Sequence, residues 1–207
     1  FISVIGSKNE SDLDELQYLV FTKPVKYINK SSGDVKIAFK IEGRDSSGKP
    51  IFMTEPNAKL SVFFPTAVST ATGFIIDGSF NTTPSRDNIH RDDPFNILLV
   101  NEVAGLLTET LIWLAEKKWL DITLFQALPI NTITFNASNF FRPIYLKLRE
   151  LVLEENVIPR YNGGYISGQN ALLSRAQAIR DAISTDQLLD LYPRENKTGW
   201  VSEEVTL

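Results

Sequence analysis

The densest run of reactive side chains lies at residues 82–93, Thr-Thr-Pro-Ser-Arg-Asp-Asn-Ile-His-Arg-Asp-Asp. It brings together two arginines, three aspartates, three hydroxyl residues and His90, the single histidine of the chain. Three chemistries suit this mixture. The first is a phosphate contact, because a guanidinium keeps its charge and can give two parallel hydrogen bonds to an oxyanion. Arg86 is the leading candidate, presented by the short loop Thr83-Pro84-Ser85 from the end of a strand. The second is a hard-metal site made of Asp87, Asp92, Asp93 and His90, although their spacing matches no familiar metal loop. The third is purely local: Asp93 caps a helix, Asp92 sits at its positive end, and Arg86 or Arg91 pairs with them.

Elements of two kinds must position this loop, and they segregate along the chain. The first half is strand-rich. Val35, Ile37, Phe39 and Ile41 alternate with Lys36, Ala38 and Lys40, the period of a half-buried strand. A turn follows at Gly43–Pro50, with a returning strand at 51–54. Strands are also expected at Leu60–Phe64, ended by Pro65 and with Phe63 and Phe64 facing inward, and at Gly73–Phe80, weakened or bulged at Gly78. Short connections favour antiparallel pairing. The second half is helical. Asp93-Pro94 opens a helix whose apolar stripe runs from Leu98 to Leu114 and which ends near Lys117–Lys118. Further helices are expected over 139–156 and from Gly168, and Ser184 with Gln187 forms a capping box before a last helix ended by Pro193. A turn is expected at Gly163–Gly164, and a strand in the tail. Strands followed by helices give an α+β class with a mainly antiparallel sheet.

Composition narrows the function. The chain has 207 residues, 43% hydrophobic, with 13 Phe, 6 Tyr and 3 Trp, enough for a substantial core. It has no Cys, which rules out a disulfide scaffold and a Cys-based zinc site. A net charge of −4 gives no general basic field for nucleic acid. Phosphate-loop, dinucleotide, nucleophile-elbow and zinc-protease signatures are all missing. The opening residues have neither the basic start nor the apolar run of a signal peptide, so a cytoplasmic fragment of a longer protein is expected, with no membrane role. Trp113, Trp119, Phe140 and Phe141 are expected to pack, and Lys23, Lys26 and Lys30 to lie on a solvated face.

Over residues 35–130 the sequence resembles ATPases of the gyrase, heat-shock chaperone, histidine-kinase and MutL superfamily, in the sacsin-like branch. The resemblance rests on Phe64-Pro65-Thr66, Thr83-Pro84-Ser85-Arg86, Asp92-Asp93-Pro94-Phe95-Asn96 and Leu128-Pro129-Ile130. The glycine-rich nucleotide boxes of that superfamily do not occur here. The resemblance therefore implies the transducer, or middle, domain that follows the nucleotide-binding domain, with a core like the second domain of a ribosomal small-subunit protein. That places a transducer-like unit at 1–130 and a mostly helical extension at 131–207. In the ninety-kilodalton heat-shock chaperones the matching loop carries Leu-Ser-Arg-Glu, and its arginine reaches the γ-phosphate of ATP bound in the preceding domain. By this resemblance Arg86 takes that role, Thr83, Ser85 and Asp87 shape the loop, and His90 occupies the position of an assisting glutamine. ATP and Mg²⁺ would belong to the parent protein, with no cofactor in this chain. Its partners would be the preceding domain, a second copy or a protein client. The alternative is an interaction module in which the arginine loop is only structural.

Overall fold

Val35, Ile37, Phe39 and Ile41 turn the same face of β3 (Lys30–Arg44) into the core, and all four are buried. This strand is the spine of the sheet. The computed structural model describes residues 2–9, 12–27, 30–192 and 198–205. One edge of β3 pairs with β2 (Asp12–Tyr27), which in turn pairs with β1 (Ile2–Asn9). Two short strands share the other edge. β7 (Ile75–Gly78) takes Val35–Ala38, and β4 (Pro50–Met53) takes Lys40–Arg44. Beyond β7 lie β5 (Lys59–Val62) and β6 (Phe64–Ser69), giving the order β1-β2-β3-β7-β5-β6. Every pair in this sheet is antiparallel except β5 with β7, which is parallel. The α+β class with a mainly antiparallel sheet is therefore the observed one.

The long helix α1 (Pro94–Glu116) covers one face of the sheet. Asp93 caps it, with its carboxylate accepting from Phe95 N at 2.7 Å. Leu99, Val103, Leu107, Leu111 and Leu114 are buried against the strands. Each such side chain contributes about 1.5–3 kcal/mol of burial. By length and composition α1 could span a bilayer, but half of its most apolar stretch is core. After α2 (Ile122–Ala127), capped by Asp121, the chain turns into α3 (Arg142–Glu154), which packs on α1. The same core cluster takes in Phe135, Ile144, Leu148, Ile158, Ile166 and Val201, so packing runs on across residue 130.

The remaining elements are short. β8 (Ile158–Pro159) and β9 (Tyr165–Ile166) pair around Gly163–Gly164, both at positive φ. β10 (Ala171–Leu172) pairs in parallel with β11 (Gly199–Trp200). Between them lie α4 (Gln177–Ala182) and α5 (Thr185–Leu191), the latter with the expected capping box.

Five expectations need correction. No helix starts at Gly168; β10 stands there and α4 begins nine residues later, because Ala171–Leu172 find a partner in the tail. Leu60–Phe64 is two strands, broken by Phe63 at φ 62°. Pro65 does not end the ladder, since it lies on the edge strand β6, opposite Ser61, where a residue without an N–H is tolerated. Phe63 and Phe64 do not face inward: they are 83% and 72% exposed. In addition, Gly78 sits in regular register with Val35 rather than in a bulge. Pro193 lies outside the described residues.

Candidate functional site

The loop at 82–93 begins where β7 releases the chain and ends where α1 starts. Asn96, in the first turn of α1, ties these two ends together. Its Oδ1 accepts from Asn81 N at 2.7 Å, and its Nδ2 donates to Asn81 O and His90 O, each at 2.9 Å. Asn96 is completely buried, so its amide has no water to fall back on. Asp93 adds a second tie by accepting from the Asn81 side chain as well as capping the helix. The Asn81 hydrogen bond, followed by the Phe95 and Asn96 amides, holds the Asp93 carboxyl below its ordinary range. The sequence motif Asp-Asp-Pro-Phe-Asn contains both residues, but composition alone assigns Asn96 no job. Its amide side chain among apolar neighbours at a helix start is the one signal that marks it.

Within this frame the loop closes on itself. Thr82 bridges Ile89, whose side chain is buried and anchors the far limb. Thr83 N donates to Asn88 O at 3.0 Å, and Arg86 N donates to Thr83 O at 2.9 Å. The Asp87 carboxylate accepts from Thr83 Oγ1 at 2.7 Å and Ser85 Oγ at 2.8 Å. Those two hydroxyl bonds, Thr83 first, keep the Asp87 carboxyl below its usual value although it faces solvent. Thr83, Ser85 and Asp87 therefore form one hydrogen-bonded unit that fixes the shape of the tip.

Arg86 stands at that tip with φ 58°, a left-handed conformation that costs a non-glycine residue roughly 1 kcal/mol or more. The conformation aims both its main chain and its side chain at the β5–β6 turn. Arg86 O accepts from Ala67 N at 3.0 Å. One guanidinium nitrogen, Nη2, donates to Val62 O at 2.8 Å and to Phe64 O at 2.7 Å. The residue between those carbonyls is Phe63, itself at positive φ. Two strained residues thus hold each other across the sheet edge. Among the described residues no carboxylate pairs with Arg86. The expected pairing with Asp92 or Asp93 does not form.

The other candidates are dispersed. Arg91 Nη1 donates to Ser138 O at 3.2 Å, and among the described residues it forms no ion pair with Asp92 or Asp93. His90 is exposed and contributes its main-chain carbonyl and amide to the loop. Among the described residues no group of three His, Asp or Glu side chains gathers as metal ligands, and Asp87, Asp92, Asp93 and His90 do not converge. Trp113 and Trp119 pack edge to face at 5.4 Å, and Phe141 is core with Phe140 against it. Lys23 is bound to Glu102 and Glu109 of α1 rather than simply solvated.

No family model matches this chain, and no curated protein or solved structure matches it either.

Proposed function

We propose that this chain is the middle domain of a multidomain, chaperone-like ATPase, and that Arg86 serves the γ-phosphate of ATP bound by a preceding domain. The observation that supports this reading most is the state of Arg86. Its half-buried guanidinium sits on an open sheet edge, has no carboxylate partner among the described residues, and is held through one nitrogen by two neutral carbonyls. Exchanging those carbonyls for an ionised oxygen strengthens the hydrogen bonds, because charge-assisted bonds are about twice as strong as neutral ones. The position is thus suited to an arginine that waits on its own domain and moves to an anion brought by another.

The residues fit that group as a charge donor and not as its container. Bound ATP would supply the reactive phosphoryl group, with Mg²⁺ held by the preceding domain. Arg86 would orient and stabilise charge on the terminal oxygens. Thr83, Ser85 and Asp87 would keep the tip in shape, and Asn96 with Asp93 would transmit its position to α1. When Arg86 leaves Val62 O and Phe64 O, the Phe63 turn loses its support, which gives a route from nucleotide state to the β5–β6 edge.

A second reading has its own support. The two carbonyl bonds of Arg86 and the exposed pair Phe63–Phe64 suit an interaction module in which the arginine only staples the turn. A distance probe between the β5–β6 turn and the preceding domain separates the two in the full-length parent protein. On the first reading a non-hydrolysable ATP analogue shortens that distance in wild type and leaves it unchanged in Arg86→Ala. Equal closure in both refutes it and favours the module.

A further inference from the structure

A cavity of about 270 Å³ lies at the Val68–Ser69 end of β6, whereas the Arg86 side chain bonds at Phe64, the strand's other end. Three segments form it: the end of β6, the last residues of the loop, and residues 134–141. Ser69, Arg91, Thr134, Asn136, Ser138 and Asn139 give it a mostly polar wall, and Phe140 gives it an aromatic one. No acidic side chain lines it.

Its hydrogen-bond account is unbalanced towards donors. The Asn139 oxygen is taken by Phe141 N and its amide nitrogen by Thr134 O. The Asn136 oxygen is taken by Ser138 N and Oγ, and its nitrogen by Ile133 O. Both amides thus hold the wall in shape, and each keeps one N–H of its two uncommitted. Ser69 Oγ accepts from Ala71 N, so its own proton is available. The Thr134 hydroxyl has no partner among the described residues, and Arg91 uses only Nη1, on Ser138 O. What remains is one guanidinium, two hydroxyl donors and an N–H from each amide, drawn from three segments of the chain, with no acidic side chain among the lining residues.

We propose that this cavity is a binding site for a phosphate monoester, with Arg91 as its cation. A planar carboxylate would be satisfied by the guanidinium alone, whereas hydroxyl donors from two further segments, Ser69 of β6 and Thr134, suit a tetrahedral oxyanion. The volume lies near the lower end of the range for small-molecule sites, about 300–1,000 Å³, and exceeds what a bare oxyanion fills. Phe140 supplies an apolar wall for the esterified group. The site uses none of the Arg86 hydrogen bonds and stands or falls separately from the role proposed for that residue.

The test is calorimetric titration of this chain with phenyl phosphate and with inorganic phosphate at constant ionic strength. Phenyl phosphate is expected to saturate one site in about the millimolar range or tighter, and inorganic phosphate to bind more weakly. Arg91→Gln is expected to lower the phenyl phosphate affinity about tenfold or more, with Arg91→Lys in between. Thr134→Val combined with Ser69→Ala is expected to weaken binding without changing the melting temperature by more than about 2 °C. No saturable binding of either compound by about 10 mM, or affinity unchanged in Arg91→Gln, overturns the site. Equal affinity for the two compounds overturns its assignment to an ester.

Discussion

Asn96→Asp separates the buried tie from everything else the loop does, because the new side chain has nearly the same size and shape. Oδ1 still accepts from Asn81 N. The Nδ2 donor is lost, and an oxygen now faces the carbonyls of Asn81 and His90 at about hydrogen-bond distance. Two lost bonds cost about 2 kcal/mol at about 1 kcal/mol each. At neutral pH the ionised oxygen, fully buried beside two carbonyls, adds a further cost of about 1–2 kcal/mol, equivalent to roughly one pKa unit. The sum is about 3–4 kcal/mol, which for a chain of this length lowers the melting temperature by roughly 6–16 °C. The pH dependence has a definite sign. Burial raises the folded-state pKa of the carboxyl at position 96 above its unfolded value of about 3.9, so the folded state binds the extra proton. Relative to wild type, the variant therefore recovers stability as pH falls towards 4 and loses it as pH rises through the raised pKa. A shift of one pKa unit returns at most about 1.4 kcal/mol on protonation, so the gap narrows in acid to roughly 2–2.5 kcal/mol. Urea unfolding of both proteins at pH 7 and pH 4.5 measures this. A gap under about 0.5 kcal/mol at pH 7, or one that widens in acid, would refute the buried-tie account.

Two further substitutions probe the backbone of the site. Phe63→Gly removes side-chain strain at φ 62° from a position that is almost wholly exposed, so denaturant unfolding should show a gain of about 0.5–1 kcal/mol; a loss of more than about 1 kcal/mol would mean the ring packs. Gly73→Ala would place a Cβ 2.5 Å from the Ala127 main chain, against which Gly73 also donates a hydrogen bond, and should cost about 2 kcal/mol or more. Gly43→Ala meets open space and should change stability by less than about 0.5 kcal/mol in the same assay.

What was legible in the sequence follows from the range of the interactions involved. α1 was readable to within a residue because its signals are local: an Asp-Pro start and a continuous apolar stripe. The centre of β3 and the capping box of α5 were readable for the same reason. The Gly163–Gly164 turn was readable because glycine tolerates positive φ. β10 was not, because its partner is β11, on the far side of α4 and α5, and no local pattern encodes a pairing of that range. Phe63 and Phe64 misled because apolar residues beside a strand read as core, whereas a positive φ at Phe63 turns the chain outward. In the site, the loop and its capping aspartate were legible as composition. The destination of the Arg86 side chain was not, since Val62 and Phe64 offer main-chain carbonyls, which every residue has.

The central claim is that Arg86 acts on a phosphate brought by another domain. Single-turnover ATP hydrolysis by the multidomain ATPase proposed to contain this chain, with ATP binding measured in parallel, tests it most directly. Arg86→Ala should bind ATP normally and hydrolyse it about a thousandfold more slowly, and Arg86→Lys should recover only part of that loss. Hydrolysis at the wild-type rate in Arg86→Ala, with ATP bound, would contradict the claim and leave Arg86 as the staple of the Phe63 turn.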